Sequence, residues 1–458
     1  MNEISGIAKD KPVQSAEELA NPVIIPVEAY ISEDYARAER DRLWRKVWLQ
    51  VGRVEEIPEP GNFLTYDILD DSVIVLRGDD GELRAFHNVC SHRGRRLVDT
   101  PKGKRNAIGR KMHFRCGFHG WRFDLEGKCT HIPEQQDWGN ALGDERTRLG
   151  PVRVDSWSGW IFISLDPDGE SLRDYLEPMA SLLDPFTLDK MRYRWRRWGV
   201  FDCNWKVALE AFNETYHVEA THPEFMAFGA FRGWARTKGK HSHIGYDAPK
   251  NMDENKAKLR VGTGADARKS TAELQLYTWN YANTNTTQTL VDAAVRLVDE
   301  LPEGTPPDQV LKHWLKSARE HDAARGVVWP TIDPAVVGES GTSCQIFPNF
   351  QVGHSVNNML CYTARPYGYD PDKCIFEAAV YELFPEGGEP ETEWELTAAE
   401  DWPPVLQQDF DNMEAVQQGM KSGGFRGTQP NPYMERAVSS LHYNLSKYMG
   451  TGTPSPIR

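Results

Sequence analysis

The chain has 458 residues and a formal net charge of −14, with 40% hydrophobic and 26% charged residues. That length allows two or three domains of ordinary globular composition, and the acidic balance argues against a nucleic-acid-binding surface. The longest apolar runs, such as Trp160 to Leu165, are too short to span a bilayer, and the N-terminal residues lack the apolar core of a secretory signal, so the expected compartment is the cytoplasm.

An extended lead-in opens the chain, and an amphipathic pattern predicts a helix from Glu33 to Val47. β-rich sequence follows. Ser72 to Arg77 and Glu82 to Phe86 flank Gly78-Asp79-Asp80-Gly81, and Arg122 to Leu125 and Cys129 to Ile132 flank Glu126-Gly127, both read as hairpins. Trp160 to Leu165 is a further strand, which makes residues 43–166 an all-β domain between an N-terminal segment, 1–42, and a mixed domain, 167–458. In the last, Met191 to Val200 alternates as a strand, and Asn204 to Thr221 reads as a helix. Gln288 to Leu301 and Asp308 to Ala324 read as two further helices. Cys344 to Leu383 suggests antiparallel strands, and Pro404 to Met420 a long helix. Strands closed by a late helix suggest an α+β fold.

Seven cysteines suit metal ligation or free thiols better than a disulfide framework. In the β domain Cys90-Ser91-His92 and Cys116-Gly117-Phe118-His119 form two short loops, each with a thiol and an imidazole. Two thiolates and two imidazoles suit tetrahedral zinc or an iron–sulfur centre with two histidines on one iron. Gly117 and Gly120 allow close backbone approach, and Trp121 is placed to cover the site. Between the loops, Arg93 to Lys111 carries eight basic residues and one acid, Asp99. This is either a solvated loop or a docking patch for an acidic electron donor, with Lys102, Lys104 and Arg105 at its centre.

In the mixed domain Glu214 and His217 are three residues apart, which on a helix gives them one face. His222 precedes Pro223, which lets the chain leave the helix there. Two imidazoles and a carboxylate make a facial triad with open positions for O2; surface or core histidines are the plainer reading. Phe212, Phe225, Met226, Phe228 and Phe231 either line an apolar cavity or pack in the core, and Leu276 to Thr287 has the composition of a lid.

Asn88-Val89-Cys90-Ser91-His92-Arg93-Gly94 and Cys116-Gly117-Phe118-His119-Gly120-Trp121 resemble the two loops of Rieske oxygenases, together with Trp48, Val51-Gly52, Ile57-Pro58 and Gly61. Asn204-Trp205-Lys206, Glu210, Phe212, Glu214, Tyr216-His217 and His222 resemble the iron motif of the same family, and Gln408 to Gln417 its C-terminal helix. The resemblance runs over about residues 25–445 and implies the catalytic (alpha) subunit of a Rieske non-heme iron aromatic-ring-hydroxylating oxygenase. It implies an all-β Rieske [2Fe–2S] domain near the N-terminus of a helix-grip (START-like) domain with an antiparallel sheet.

By that resemblance Cys90, His92, Cys116 and His119 hold the [2Fe–2S] cluster, and His217, His222 and Asp409 hold a mononuclear Fe(II), with Asp411 the fallback ligand and Glu414 a solvated residue. Glu214 is the link between His217 and a cluster histidine, by analogy His119, of a neighbouring subunit. Many members have Asp at that position and Asn at that of Ala211. Arg95 and Phe118 stand where respiratory Rieske proteins carry an extra disulfide, and 23 residues separate His92 from Cys116, longer than usual for the family.

The implied reaction uses O2 to hydroxylate an aromatic or other largely apolar molecule, with O- or N-dealkylation as the alternative and a pure electron carrier as the weaker one. A zinc-stabilised interaction protein is the rival outside the family. Gly262-Thr263-Gly264 lacks the third glycine of a dinucleotide fingerprint, so NAD(P)H electrons are expected through a separate reductase, with or without a ferredoxin. The resemblance implies a homotrimer and leaves a small β subunit open.

Overall fold

The computed structural model describes residues 12–228, 232–247 and 266–457. Gly262 to Gly264, Phe231 and the side chains of Met226 and Phe228 lie outside the described residues. Among the described residues no helix is long and apolar enough to cross a membrane.

Two antiparallel sheets organise the chain. The first has seven strands in the order Trp48–Arg53, Trp160–Ser164, Pro151–Trp157, Leu83–His87, Asp71–Arg77, Asn62–Ile68, Ile108–Arg110, with a small sheet, Phe114–Arg115, Arg122–Phe123 and Cys129–His131, beside it. Both expected hairpins are present. The second has eight strands in the order Gly233–Lys238, His241–Tyr246, Ser343–Ile346, Phe350–His354, Asn358–Pro366, Cys374–Glu382, Arg192–Phe201, Glu395–Leu396. Its last pair alone is parallel.

The second sheet is buried on both faces. Its front receives the helix Pro404–Met420, with Phe410 against Phe201 (ring centroids 4.4 Å apart) and Phe376 (5.6 Å). Its back meets the first sheet: Trp160 packs edge-on to Phe350 at 5.1 Å, and Arg53 lies 5.3 Å over Tyr381. One apolar core runs from Ile25 through both sheets to Met449. A smaller one, including Phe63, Phe86, Phe114 and Phe123, supports the Cys90 and Cys116 loops.

Three expectations are corrected. The helix from Glu33 ends earlier than Val47: Glu33–Glu39, capped by Ser32, passes into a π-helical turn, Arg40–Trp44. The 204–221 helix is two pieces, Trp205–Glu210 and Val218–Thr221, so Glu214 lies in the break and shares no helix face with His217. Its carboxylate accepts the free backbone N–H groups of Tyr216 and His217 (3.1 Å) ahead of the second piece, which explains the break locally.

One basic residue of the insertion is not part of its surface, whereas Arg93, Lys102, Lys104, Arg110 and Lys111 are exposed. Arg105 is buried and pairs with Glu377 of the second sheet at 2.8 Å; Arg365 also faces Glu377. Lys104 reaches Glu393 at 2.7 Å, while Arg95 and Arg96 pair with Asp99 and Asp67. Ile108–Arg110 pairs with Asn62–Ile68 at the sheet edge. The buried Arg105–Glu377 pair instead fastens the two sheets together.

Candidate metal centres and substrate cavity

The two cysteine loops are built alike. In the first, Cys90 N donates to Arg95 O and Gly94 N to Cys90 O; in the second, Cys116 N donates to Trp121 O and Gly120 N to Cys116 O, all at 2.8–3.1 Å. Gly94 (φ 76°) and Gly120 (φ 78°) take the left-handed conformation that closes each loop. Asn88 pins the first loop: its amide donates to Val98 O (2.7 Å) and accepts from Leu97 N and Val98 N (3.0 Å each).

Both thiols are buried, and the imidazoles lie outside them with ring centroids 4.6 Å apart. His92 stacks on Trp121 at 4.9 Å, and His119 is exposed. Burial pushes the Cys90 thiol up to about 11. Burial also raises Cys116, but the backbone N–H groups of Phe118 and His119 outweigh it and hold that thiol below its ordinary value. Paired buried thiols behind paired outer imidazoles fit a two-iron cluster with sulfur ligands on one iron and nitrogen on the other.

A second constellation lies in front of the large sheet. His217, His222 and Asp409 each offer one ligand atom, and these atoms lie within 4.8 Å of one another. His222 Nε2 is 3.0 Å and His217 Nε2 3.4 Å from the same Asp409 oxygen. Asp409 is buried on the sheet-facing side of Pro404–Met420, whereas Asp411 and Glu414 are exposed. His222 sits at the C-terminal end of Val218–Thr221, with Pro223 next.

Each imidazole is held from behind. His217 Nδ1 meets the Glu214 carboxylate, and His222 Nδ1 meets Gln408 Oε1 at 2.7 Å, so each Nε2 is left toward the common point. Burial lowers both imidazoles, but Glu214 with Asp409 at His217, and Asp409 with Gln408 at His222, outweigh it and leave both raised. Two nitrogens and one carboxylate oxygen, with partners fixing the tautomers, fit an octahedral ferrous ion that keeps positions open.

Gln408 is a residue that sequence reasoning missed; nothing in its type marks it beyond standing next to Asp409. Among the described hydrogen bonds none joins Glu214 to a cluster histidine of the same chain. Behind Glu214 lies a cavity of about 220 Å³ that Glu210 and Glu435 also line. Burial, with Glu214 and Glu210 nearby, raises Glu435 to about 7.

In front of the triad opens a larger cavity of about 480 Å³. Near His217, His222 and Asp409 its wall is apolar: Phe212 stacks on Tyr362 at 4.0 Å, and Phe225, Val405 and Leu406 complete it. Phe212 and Phe225 therefore do line a cavity. Part of the expected lid, from Thr278 to Asn285, forms another wall.

Residues 183–451 match the ring hydroxylating alpha subunit catalytic domain, and residues 47–151 the Rieske [2Fe–2S] domain. The glycine betaine monooxygenase oxygenase subunit of Chromohalobacter salexigens is 35% identical over 188 residues, 41% of this chain and 40% of that protein. The large oxygenase component of the naphthalene 1,2-dioxygenase system of Pseudomonas aeruginosa is 34% identical over 205 residues, 43% of this chain and 44% of that protein. The matched stretches thus span under half the length of these relatives. The crystal structure of the quaternary ammonium Rieske monooxygenase CntA with L-carnitine superimposes with a TM-score of 0.63 at 18% identity, covering 96% of this chain and all of that one. The fold, the match over 183–451 and the preceding Rieske domain agree, and the chain belongs to the ring-hydroxylating alpha subunit family of Rieske non-heme iron oxygenases.

Proposed function

We propose that the chain is a terminal oxygenase, with Cys90, His92, Cys116 and His119 holding the [2Fe–2S] cluster and His217, His222 and Asp409 the mononuclear Fe(II). The observation that carries this is the convergence of the last three side chains at one end of the larger cavity, each imidazole oriented by a carboxylate or amide behind it. When bound, the cluster and the iron supply one-electron transfer and O2 activation. The chain's residues do the rest. Glu214 and Gln408 fix the imidazole tautomers, Asp409 supplies the anionic ligand, and the Phe212–Tyr362 wall keeps water from the reacting end of the substrate.

Electrons come from NAD(P)H through a separate reductase, with or without a ferredoxin. Glu214 serves as the bridge to His119 of a neighbouring subunit in a homotrimer. The exposed His119 ring and the cavity behind Glu214 support this reading. The reaction hydroxylates a largely apolar molecule; the glycine betaine relative favours N-dealkylation of the monooxygenase type as the second reading.

The test is product formation by purified protein with a Rieske-enzyme reductase, NADH and O2, offered naphthalene, glycine betaine and L-carnitine. Oxygenated or dealkylated product that disappears in Asp409→Ala supports the proposal. Product formation that survives Asp409→Ala contradicts it.

A further inference from the structure

The larger cavity has two unlike ends. At the metal-binding end the wall is apolar. Along the strand Asn358–Pro366 the front-facing positions run from Tyr362 through Leu360 to Asn358, roughly 13 Å for four residues. The rest of the lining carries polar groups, Gln275, Thr278, Thr284 and Asn358 among them, and the wall is tied to the Asn358 side through Gln275–Thr286 and Thr287–Asn357. All four residues are at least nine-tenths buried. Among the described hydrogen bonds, none uses the hydroxyls of Thr278 or Thr284. Gln275 accepts from Thr286 through Oε1, and Asn358 donates to Asn357, which leaves Gln275 Nε2 and Asn358 Oδ1 without a described partner. Buried polar groups left in this state bind water or a ligand.

The wall is fixed from outside. Arg194 donates to Thr286 O at 2.9 Å and to Asn283 O and Oδ1, pairs with Glu382, and lies 4.8 Å over the Trp279 ring. Trp195 Nε1 also donates to Asn283 O, and Asn283 and Asn285 both take positive φ. Asn357 ties the wall to the sheet through Thr287 Oγ1. Such a network holds hydroxyls and amides in one arrangement, as a recognition surface requires.

We infer that Thr278, Thr284, Gln275 and Asn358 bind an uncharged hydrogen-bonding group, a hydroxyl or amide, at the end of the substrate remote from the metal, and that Arg194 positions that wall. The substrate class is then a neutral molecule with an apolar reacting end and one such group at its opposite end. This rests on the oxygenase reading for which end reacts, but not for the binding preference itself.

The test measures dissociation constants by calorimetry for biphenyl, 4-hydroxybiphenyl, biphenyl-4-carboxylate and L-carnitine, on iron-loaded protein and after removal of the mononuclear iron. The expected result is 4-hydroxybiphenyl about five- to tenfold tighter than biphenyl, the size of one net hydrogen bond. In Thr278→Val/Thr284→Val, which preserves side-chain shape, biphenyl binding holds and the ratio falls to near one. A ratio near one in the wild type, a ratio unchanged in the variant, tighter binding of the carboxylate or carnitine, or no binding of any probe overturns the inference. The ratio persists without the iron, so a failure of the oxygenase reading shows in product assays and leaves this measurement untouched.

Discussion

Replacing Glu377 by Gln tests how the two sheets are held together. Glu377 is 2% exposed and faces Arg105 at 2.8 Å and Arg365 at 3.3 Å, themselves 7% and 5% exposed. Burial pushes its carboxyl up, but the two guanidiniums outweigh this and hold it below the ordinary range. In E377Q two buried cations face one amide oxygen. Removing one partner from a buried ion pair costs about 3–5 kcal/mol, a large part of a typical folding free energy. For domains of this size that corresponds to a melting-point drop of roughly 6–20 °C. The pH dependence has a definite sign. The folded pKa lies below the unfolded one, so the stabilisation is present above the unfolded value and is lost as pH falls through the folded one. Wild type therefore loses stability below about pH 4.3 through this group, and E377Q does not. The assay is calorimetry of both proteins from pH 3 to 7, with Lys104→Ala as the control because the Lys104–Glu393 pair is exposed. An E377Q protein that melts within about 1 °C of wild type at pH 7 refutes the reasoning.

Further outcomes follow from the metal-binding geometry. Asp409→Ala removes the mononuclear iron and leaves the cluster absorption, whereas Asp411→Ala, altering an exposed side chain, leaves both; metal analysis beside visible spectra separates the two. Gln408→Leu takes away the partner of His222 Nδ1 and lowers iron affinity roughly 10- to 100-fold, read by competition with a chelator. Burial lowers His241 to about 4, and its ring accepts from Phe347 N while facing Tyr175 O. Because its folded pKa lies below the unfolded one, the unfolded chain takes up the proton first. Stability is then full above about pH 6.5 and falls as pH drops toward 4, a slope that His241→Gln reduces in urea titrations.

The residues whose chemistry needs a fixed type were the legible ones. Cys90, His92, Cys116, His119, His217 and His222 stand in short spacings that single them out as candidates, and the structure brings His217 and His222 together with Asp409 on the expected helix Pro404–Met420. Glu214 was read on a helix because three-residue spacing suits one, yet local capping of Tyr216 and His217 won over helix continuation. Arg105 read as surface with the rest of the basic insertion because its partner Glu377 lies far along the chain, and no local pattern announces such a pairing. Gln408 and the wall from Thr278 to Asn285 depend on tertiary contacts for their meaning, so composition pointed to a lid without naming what the wall offers a ligand.

The most direct test of two distinct iron sites in one chain is iron and acid-labile sulfide per chain in wild type and in His217→Ala/His222→Ala. The account predicts about three irons and two sulfides in the wild type, falling to about two irons and two sulfides in the variant. Zinc in place of iron, absence of sulfide, or iron unchanged in the variant contradicts it.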